Sequence, residues 1–388
     1  MRKTITLILT IILIASIIVF GVLYWKYFRG AAPAIKQPKQ DISEVINTTD
    51  MPLTLPSGFS IEIFAKDLPG ARVMLIDELG NMWVSQTKEG TVSLLTIEDG
   101  QVIDSQVIFK DLKNPHGLAI HPYYHSNLYI AEEDKISRVK IYPEGEGELE
   151  KILDLPAGGR HVTRTIWFNF DKQLLISVGS SCDTCVEDDW RRSSILIAND
   201  DGTNLKTYAT GLRNSVFMAM HPTSLQVWAT EMGRDFLGDD LPPEEINIIK
   251  RNKDYGWPYC YGEQIHDEKF DPKEEFKSFC KKTEPAYITF QAHSAPLGLA
   301  FIPQSWPKDY AGDLLVAYHG SWNRTEPTGY KIVHFDLDSA NSESDFISGW
   351  LQDNNALGRP AGLIFDNQGN LYISDDKAGV IYKVSVVK

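Results

Sequence analysis

The chain has 388 residues, of which 43% are hydrophobic and 23% charged, and these proportions exclude a disordered chain and allow a sizeable folded core. The formal net charge is -14, and residues 30–388 alone carry 34 basic against 52 acidic groups. Such a domain repels nucleic acid, and an anionic cofactor would need a local cluster of arginines or lysines. The aromatic share of 11%, with 28 Gly and 20 Pro, favours many short strands joined by tight turns.

Residues 1–29 are predicted to form a membrane anchor. Residues 5–24 carry no charge, and about twenty residues in a helix are long enough to cross a ~30 Å hydrocarbon core. A basic and aromatic flank follows this stretch directly, which favours a retained transmembrane helix over a cleaved signal peptide. Residues 30–54 are polar, contain three prolines and lack periodicity, so we expect them to form a linker.

A repeated pattern extends from residue 55 to residue 388. Each copy has a short apolar run, a Gly/Asp/Asn/Pro turn and an alternating strand, and the copies lie at 72–86, 116–133, 164–179, 214–231, 297–320 and 361–376. Equivalent positions are separated by 46, 46, 53, 87 and 57 residues. Spacings of about 40 to 50 residues are typical of propeller blades. We therefore predict an all-β fold, a six-bladed β-propeller behind the transmembrane helix, with a β-sandwich or a parallel β-helix as the alternatives.

The spacing of 87 marks an insertion at about 252–292, which contains two of the four cysteines. An even number of cysteines in an exported chain is typical of disulfide bonds, here Cys182–Cys185 and Cys260–Cys280. A single zinc site is the alternative, but zinc sites usually pair two short-spaced dyads and the second pair is not one. Together with the anchor, the cysteines predict that the propeller is extracytoplasmic, either periplasmic or on the cell surface.

Polar residues precede the first strand of several predicted blades. They are His116, His161 with Arg164, Arg213 with Asn214, His293 and Arg359. Equivalent strand ends of a propeller meet at one end of its central channel, so these side chains are expected to share a pocket. Arginines bind planar carboxylates, and a neutral histidine accepts a proton from an alcohol. The pocket is therefore suited to a small polyanion beside an oxidisable hydroxyl group.

Seven short motifs carry a resemblance to a known family. They are GGRHVTRT (158–165), VGSSCDTC (178–185), GLRNSV (211–216), MGRDFLGDDLPPEEIN (232–247), YGWPYCYG (255–262), YHGSWNR (318–324) and GRPAGL (358–363). In combination they resemble the pyrroloquinoline quinone (PQQ)-dependent sugar dehydrogenases, especially the L-sorbosone dehydrogenase-like branch and its soluble glucose dehydrogenase relatives. The resemblance implies a six-bladed propeller with PQQ at its mouth. It also implies oxidation of an aldose or a sorbosone-like sugar by hydride transfer to the quinone, with electrons passed to a membrane acceptor.

The resemblance also assigns roles to residues. His161 matches the general base, and Arg213 with Asn214 matches the pair that contacts the cofactor. Arg359 lies where the family places two cofactor-binding arginines, although this sequence has one. His319, Arg324 and Lys331 are candidates for a cofactor-binding lysine of the family. Arg164, which shares the predicted rim, completes the set of expected cofactor ligands.

The family also binds Ca²⁺ next to the quinone, partly through backbone carbonyls of a Gly-Pro turn. The matching turn is Gly233-Arg234, so the resemblance implies a calcium site at these two carbonyls, without the rigidity of proline and with a cation close by.

Two other classes of function are compatible with a six-bladed propeller. One is a calcium-dependent hydrolase of lactones or esters, which needs a ring of acidic and amide side chains around a metal. The other is a propeller without enzymatic activity that binds protein or glycan, because a fold does not determine a function.

Overall fold

The computed structural model describes residues 46–141, 147–339 and 341–387. The described residues are almost entirely in strands, turns and loops, with a single helical turn. The elements, in chain order, are β1 (Ile46–Asn47), β2 (Phe59–Ala65), β3 (Ala71–Ile76), β4 (Met82–Gln86), β5 (Thr91–Glu98), β6 (Gln101–Phe109), β7 (Gly117–Ile120), β8 (Asn127–Ala131), β9 (Lys135–Lys140), β10 (Glu150–Asp154), β11 (Arg164–Phe168), β12 (Leu174–Val178), β13 (Ser194–Ala198), β14 (Lys206–Thr210), β15 (Ser215–Met220), β16 (Val227–Glu231), β17 (Glu244–Ile249), β18 (Lys253–Asp254), β19 (Cys260–Tyr261), β20 (Ile265–His266), α1 (Lys277–Cys280), β21 (Ile288–Phe290), β22 (Pro296–Phe301), β23 (Leu314–Tyr318), β24 (Lys331–Asp336), β25 (Ser342–Ile347), β26 (Leu351–Gln352), β27 (Asn355–Ala356), β28 (Pro360–Phe365), β29 (Leu371–Asp375) and β30 (Val380–Val386).

Six antiparallel sheets form a closed ring. From the axis outwards the blades are β3 to β6, β7 to β10, β11 to β14, β15-β16-β17-β21, β22 to β25 and β28-β29-β30-β2, and we number them 1 to 6 in that order. Each innermost strand contacts the innermost strands of the two neighbouring blades, and β28 of blade 6 contacts β3 of blade 1. The predicted six-bladed β-propeller is therefore confirmed.

Both ends of the described chain close the ring in blade 6. Strand β2 pairs antiparallel with β30, with Phe59 opposite Val386, and β1 adds to β2 in parallel. Leu53 is buried, so this end of the predicted linker packs against the propeller. The predicted anchor lies outside the described residues. Within them, no helix has the length and apolar character needed to cross a bilayer.

The second strand of each blade forms the centre of its sheet. Every residue of β4, β12, β16, β23 and β29 is buried, because neighbouring blades cover both faces. The turns before β4 and β29 are stabilised in the same way. Asp77 accepts a hydrogen bond from the indole N–H of Trp83 at 3.1 Å, and Asp366 accepts one from the hydroxyl of Tyr372 at 3.1 Å. The aromatic residue at the second position therefore supports the turn that precedes it.

Glycines in the innermost strands allow the blades to approach one another at the axis. A Cβ atom on Gly117 would lie 2.6 Å from the carbonyl oxygen of Arg164, and one on Gly298 would lie 2.5 Å from that of Ala361. A larger residue at either position would push neighbouring blades apart.

The insertion separates the third strand of blade 4 from its fourth strand, β21, and reaches the end of the ring where the first strands begin. The Cys260–Cys280 disulfide closes it, and both cysteines are buried. The second predicted disulfide, Cys182–Cys185, is also present, in the loop after β12. Both cysteine predictions are confirmed.

Candidate functional site

The first strands of all six blades begin at the same end of the ring, which we call the rim. Five of the ten sequence-predicted site residues lie there, in two groups. The first, the blade 3/4 cluster, contains His161, Ser180, Asp183, Arg213 and Asn214. The second, the blade 5/6/1 cluster, contains Arg72, His319, Arg359 and Asp376. Residues from distant parts of the sequence therefore meet as the repeats predict.

His161 is held by its Nδ1 atom, which lies 3.0 Å from the carbonyl oxygen and 2.8 Å from the hydroxyl of Ser180. A carbonyl oxygen only accepts, so Nδ1 carries the proton and Nε2 has the free lone pair. The Ser180 hydroxyl in turn donates to the carbonyl of Cys182 at 2.7 Å. No described residue hydrogen-bonds Nε2, so this nitrogen is available to accept a proton.

The electrostatic surroundings of His161 keep it neutral. Burial, together with the positive charge of Arg213, lowers its pKa from 6.5 to about 3. At neutral pH the ring is therefore in the proton-accepting form that a general base requires.

The guanidinium group of Arg213 is fully engaged by protein groups. It bonds the Asp183 carboxylate at 2.7 Å and the carbonyls of Met232 and Gly233 at 3.2 and 2.8 Å. Asp235 lies 3.5 Å away. Arg213 is therefore at the rim as predicted, and its charge is balanced by neighbouring carboxylates.

Asn214 lies beside Arg213 above a buried carboxyl group. Its backbone N–H donates to Glu231 at 2.6 Å, and its side-chain amide contacts the sulfur of Met232 at 3.5 Å. Burial raises the pKa of Glu231 to about 8 and that of nearby Glu244 to about 7. At pH 7 the Glu231 carboxyl group is therefore mostly neutral, and that of Glu244 is about half ionised.

The blade 5/6/1 cluster places two arginines around one carboxylate. Asp376 lies 3.1 Å from Arg72 and 2.9 Å from Nε2 of His319. Arg359 donates to Nδ1 of His319 at 3.3 Å and to the hydroxyl of Tyr330 at 3.1 Å. Nη1 of Arg72 is buried without a hydrogen-bond partner, and Arg359 has no carboxylate partner among the described residues. The cluster therefore carries excess positive charge and one unsatisfied donor.

The protonation states of this cluster follow from its bonds. Nδ1 of His319 accepts from Arg359, so its proton is on Nε2 and points to Asp376. Burial lowers the pKa of His319, which favours this neutral form. Burial opposes ionisation of Asp376, but the hydrogen bond from His319 and the charge of Arg72 hold the pKa of Asp376 well below its usual range. The carboxylate is therefore ionised and compensates for one of the two arginines.

Arg164 has a different environment. Its side chain is fully buried beneath the rim and donates to the carbonyls of Pro156 at 2.7 Å and of His161 at 2.9 Å. Burial, with the charge of Arg192 nearby, lowers its pKa to about 10. In this position Arg164 braces the loop that carries His161.

The structure does not bring Arg324 and Lys331 into either cluster. Arg324 bonds Asp240 at 3.0 Å and the carbonyl of Asp239, on a neighbouring loop. Lys331 starts the third strand of blade 5 and pairs with Asp345 of the fourth strand at 2.5 Å. Both cations are neutralised away from the other site residues.

The Gly233-Arg234 turn holds a cation supplied by the protein. The Gly233 carbonyl accepts the bond from Arg213, and the Arg234 side chain pairs with Asp267 of the insertion at 2.8 Å. A calcium ion at the Gly233 carbonyl would have to displace the Arg213 guanidinium.

Two further histidines of the predicted rim, His116 and His293, have structural roles. His116 is completely buried and donates from Nδ1 to the Thr165 hydroxyl at 3.2 Å, because that hydroxyl itself donates to the carbonyl of Val216. His293 bonds the Gly238 carbonyl at 2.8 Å. His116 supports the floor of the rim, and His293 fixes the loop after β16.

Four site residues were not predicted from the sequence: Arg72, Ser180, Asp183 and Asp376. A signal existed for two of them. Arg72 has the same phase in its repeat as Arg164 has in the third copy, and Asp376 follows directly after Asp375, which ends β29 as Glu231 ends β16. Ser180 and Asp183 lie in a loop, where the repeat gives no phase.

Comparisons with known proteins identify the family of the chain. The sequence model of the TrAA12-like family matches residues 53–387. The chain belongs to this family. A relative from Hypocrea jecorina, described as a pyrroloquinoline quinone-dependent sugar dehydrogenase, is 22% identical over 408 residues, covering 86% of this chain and 91% of the relative. An uncharacterised protein of Borreliella burgdorferi is 29% identical over 359 residues, covering 86% and 90%.

Solved structures share the fold. The holo form of the pyranose dehydrogenase PQQ domain of Coprinopsis cinerea superposes with a TM-score of 0.75 at 19% identity, covering 88% of this chain and all of that domain. The PQQ-bound aldose sugar dehydrogenase of Streptomyces coelicolor gives a TM-score of 0.64 at 18% identity, covering 86% and 99%.

Proposed function

We propose that this TrAA12-like protein is a PQQ-dependent dehydrogenase that oxidises an aldose or a sorbosone-like sugar. The observation that carries the proposal is the combination, on one rim, of a cation-rich cluster with a neutral histidine whose Nε2 is free. The relatives named as PQQ-dependent sugar dehydrogenases support the same chemistry.

The residues present fit an anionic cofactor. PQQ carries carboxylates, and the blade 5/6/1 cluster offers an unsatisfied buried donor on Arg72 and the guanidinium of Arg359, which lacks a carboxylate partner. Charge-assisted bonds from arginine to carboxylate are the strong ones in proteins. Arg72 and Arg359 would therefore hold the carboxylates. Arg213 and Asn214 lie at the opposite cluster, where Asp183, Met232 and Gly233 already occupy the Arg213 guanidinium, so Asn214 would be the one to contact the cofactor. When bound, PQQ supplies the hydride acceptor.

His161 would take the proton from the sugar hydroxyl. Its Nε2 accepts, and the Nδ1–H bond to the Ser180 carbonyl keeps the ring in the correct tautomer and stabilises the imidazolium that forms. Arg164 would act indirectly, by holding the 156–164 loop under the histidine.

Calcium, the electron acceptor and the membrane anchor remain part of the proposal. Calcium binding would require Arg213 to leave the Gly233 carbonyl, so chelator sensitivity tests it directly. We propose that residues 5–24 anchor the chain and that the propeller is extracytoplasmic, which the two disulfides support because such bonds persist in oxidising compartments. A membrane acceptor would then receive the electrons.

The calcium-dependent hydrolase has less support. Among the described residues, the group of three or more His, Cys, Asp or Glu side chains close enough to share a metal is Cys182, Cys185 and Glu187. The disulfide removes both thiolates as ligands.

The test is an activity assay on the full chain purified in detergent. The protein is incubated with PQQ, with calcium or with chelator, and dye reduction is measured across a panel of aldoses, pyranosides and sorbosone. We expect reduction that depends on both PQQ and sugar. Bound PQQ without turnover of any sugar would contradict the proposal and favour a binding protein without enzymatic activity.

A further inference from the structure

Two exposed aromatic side chains stand at the rim next to the blade 3/4 cluster. Trp322 is 65% exposed and Phe236 is 58% exposed, and their rings meet edge to face with centroids 6.2 Å apart. Single exposed aromatic side chains are common on protein surfaces, but two rings in contact form an apolar patch, and a patch bordered by polar residues is typical of a binding surface. We call Trp322 and Phe236 the aromatic pair.

A polar network centred on Asp235 connects the aromatic pair to the blade 3/4 cluster. This carboxylate bonds Arg160 at 2.5 Å and the Asn323 amide at 2.6 Å. The guanidinium of Arg160 lies over the Trp322 ring, 5.6 Å from its centroid. Loops of blades 3, 4 and 5 therefore meet at the Asp235 carboxylate. Asp235 directly precedes Phe236 in sequence and Asn323 directly follows Trp322, so the network lies next to both aromatic residues.

The backbone of Phe236 supports a binding role. Its φ angle is +66°, a region that a bulky side chain rarely adopts and that concentrates at functional sites. The Lys269 ammonium holds the Phe236 carbonyl at 2.6 Å, so the insertion fixes this conformation. The ring is thereby turned into the solvent next to Trp322.

We propose that the aromatic pair is a platform for the pyranose ring of a saccharide, with Arg160 and Asn323 as hydrogen-bond donors to its hydroxyl groups. A pyranose presents an apolar C–H face that packs against an aromatic ring and polar edges that need charged or amide partners, and both are present here. Arg160 directly precedes His161, so a sugar on the platform lies beside the proposed base. The inference deepens the proposed function and rests on it for the identity of the reaction, but sugar binding can be measured separately.

The experiment compares Trp322→Ala, Trp322→Phe and Phe170→Ala in the full chain. Phe170 is 77% exposed in the turn between β11 and β12, at the opposite end of the ring, and serves as the matched control. Saturation-transfer NMR with a pyranose is recorded before PQQ is added. We expect contact with the sugar in the wild type, Trp322→Phe and Phe170→Ala proteins, and its loss in Trp322→Ala at unchanged melting temperature.

Kinetics with saturating PQQ provide the second reading. Trp322→Ala should raise KM by about five- to thirtyfold with kcat within about twofold, because the platform binds the ground state and the transition state alike. Loss of sugar contact in Trp322→Ala without turnover in any protein would reject the proposed function and retain the platform. Equal sugar contact in Trp322→Ala and the wild type, or none in the wild type, would overturn the platform.

Discussion

The two clusters of the rim use their arginines in opposite ways. In the blade 3/4 cluster, Arg213 donates to a carboxylate and two carbonyls, and its position is determined by protein groups alone. In the blade 5/6/1 cluster, Arg72 retains a buried donor without a partner, and Arg359 meets neutral acceptors. A buried polar group without a partner costs about 1–3 kcal/mol, and a bound anion would supply the missing bond to Arg72. In the proposed function, the blade 3/4 cluster would position the proton acceptor and the blade 5/6/1 cluster would bind the anion.

The largest expected effect tests the first half of this comparison. His161→Gln should lower kcat by about 10²- to 10⁴-fold, the usual contribution of a positioned base, while PQQ affinity is unchanged because the arginines remain. His125→Gln, an exposed histidine that pairs with Glu78, is the control and should behave as the wild type. The measurement is turnover, PQQ titration and melting temperature on one preparation of each protein.

The pH dependence of turnover provides a second test of His161. The base works when neutral, so the rate attributable to His161 falls as the pH drops through its pKa of about 3. The wild type should therefore show no histidine-dependent loss between pH 7 and 5. Near wild-type turnover of His161→Gln with PQQ saturating would remove His161 from the mechanism.

The next effect tests the second half. Arg72→Gln and Arg359→Gln should each weaken PQQ binding by about ten- to a hundredfold, since a hydrogen bond to a charged group contributes ~1.5–3 kcal/mol. Arg324→Gln is the matched control, because Asp240 and the Asp239 carbonyl already hold that side chain, and its affinity should stay within about twofold. Calorimetric titration measures all three. A larger loss of PQQ affinity in Arg324→Gln than in Arg72→Gln would contradict the proposal and indicate that Arg324 binds the cofactor.

A further effect, on stability and not on activity, concerns the buried carboxyl groups beneath the blade 3/4 cluster. The pKa of Glu231 rises from 4.5 to about 8 on folding, so its stabilisation is present below pH 4.5 and is lost as the pH rises towards 8. Glu231→Gln should flatten this decline, which is at most about 1.4 kcal/mol per pH unit. Chemical denaturation at pH 5 and pH 7.5 measures it, with Glu62→Gln on the exposed β2 surface as control. If the free energy of unfolding of Glu231→Gln depended on pH as steeply as that of the wild type, another group would be responsible for the decline.

The sequence predicts the fold well because blades repeat. The second-strand residues Trp83, Leu175, Trp228, Leu315 and Tyr372 all lie at the second position of their strands, so the period measured from the sequence is the structural one. Tyr129 lies one position later and is buried equally. The closure of blade 6 by β2 leaves no such signal, because that pairing joins residues more than 300 positions apart.

Site residues at repeated positions of the blades can be predicted from the sequence, whereas site residues in loops cannot. The sequence places His161, Arg213 and Arg359 at the rim because each precedes a first strand, and Arg72 could have been added because it matches Arg164, the first residue of β11. The pairing of Arg324 and Lys331 with acidic neighbours depends on which loop each meets, which a period does not specify. Asp235 bonds Arg160 and Asn323, which lie 75 and 88 positions from it in sequence, and nothing local marks it as the centre of a network.

The central claim is that the blade 5/6/1 cluster binds the anionic groups of the cofactor and the blade 3/4 cluster receives the proton. The most direct test is a crystal structure of the full chain with PQQ. The account predicts PQQ carboxylates in contact with Arg72 and Arg359, and a quinone within reach of Nε2 of His161. Carboxylates bound at Arg324 and Lys331, or PQQ away from the rim, would contradict it.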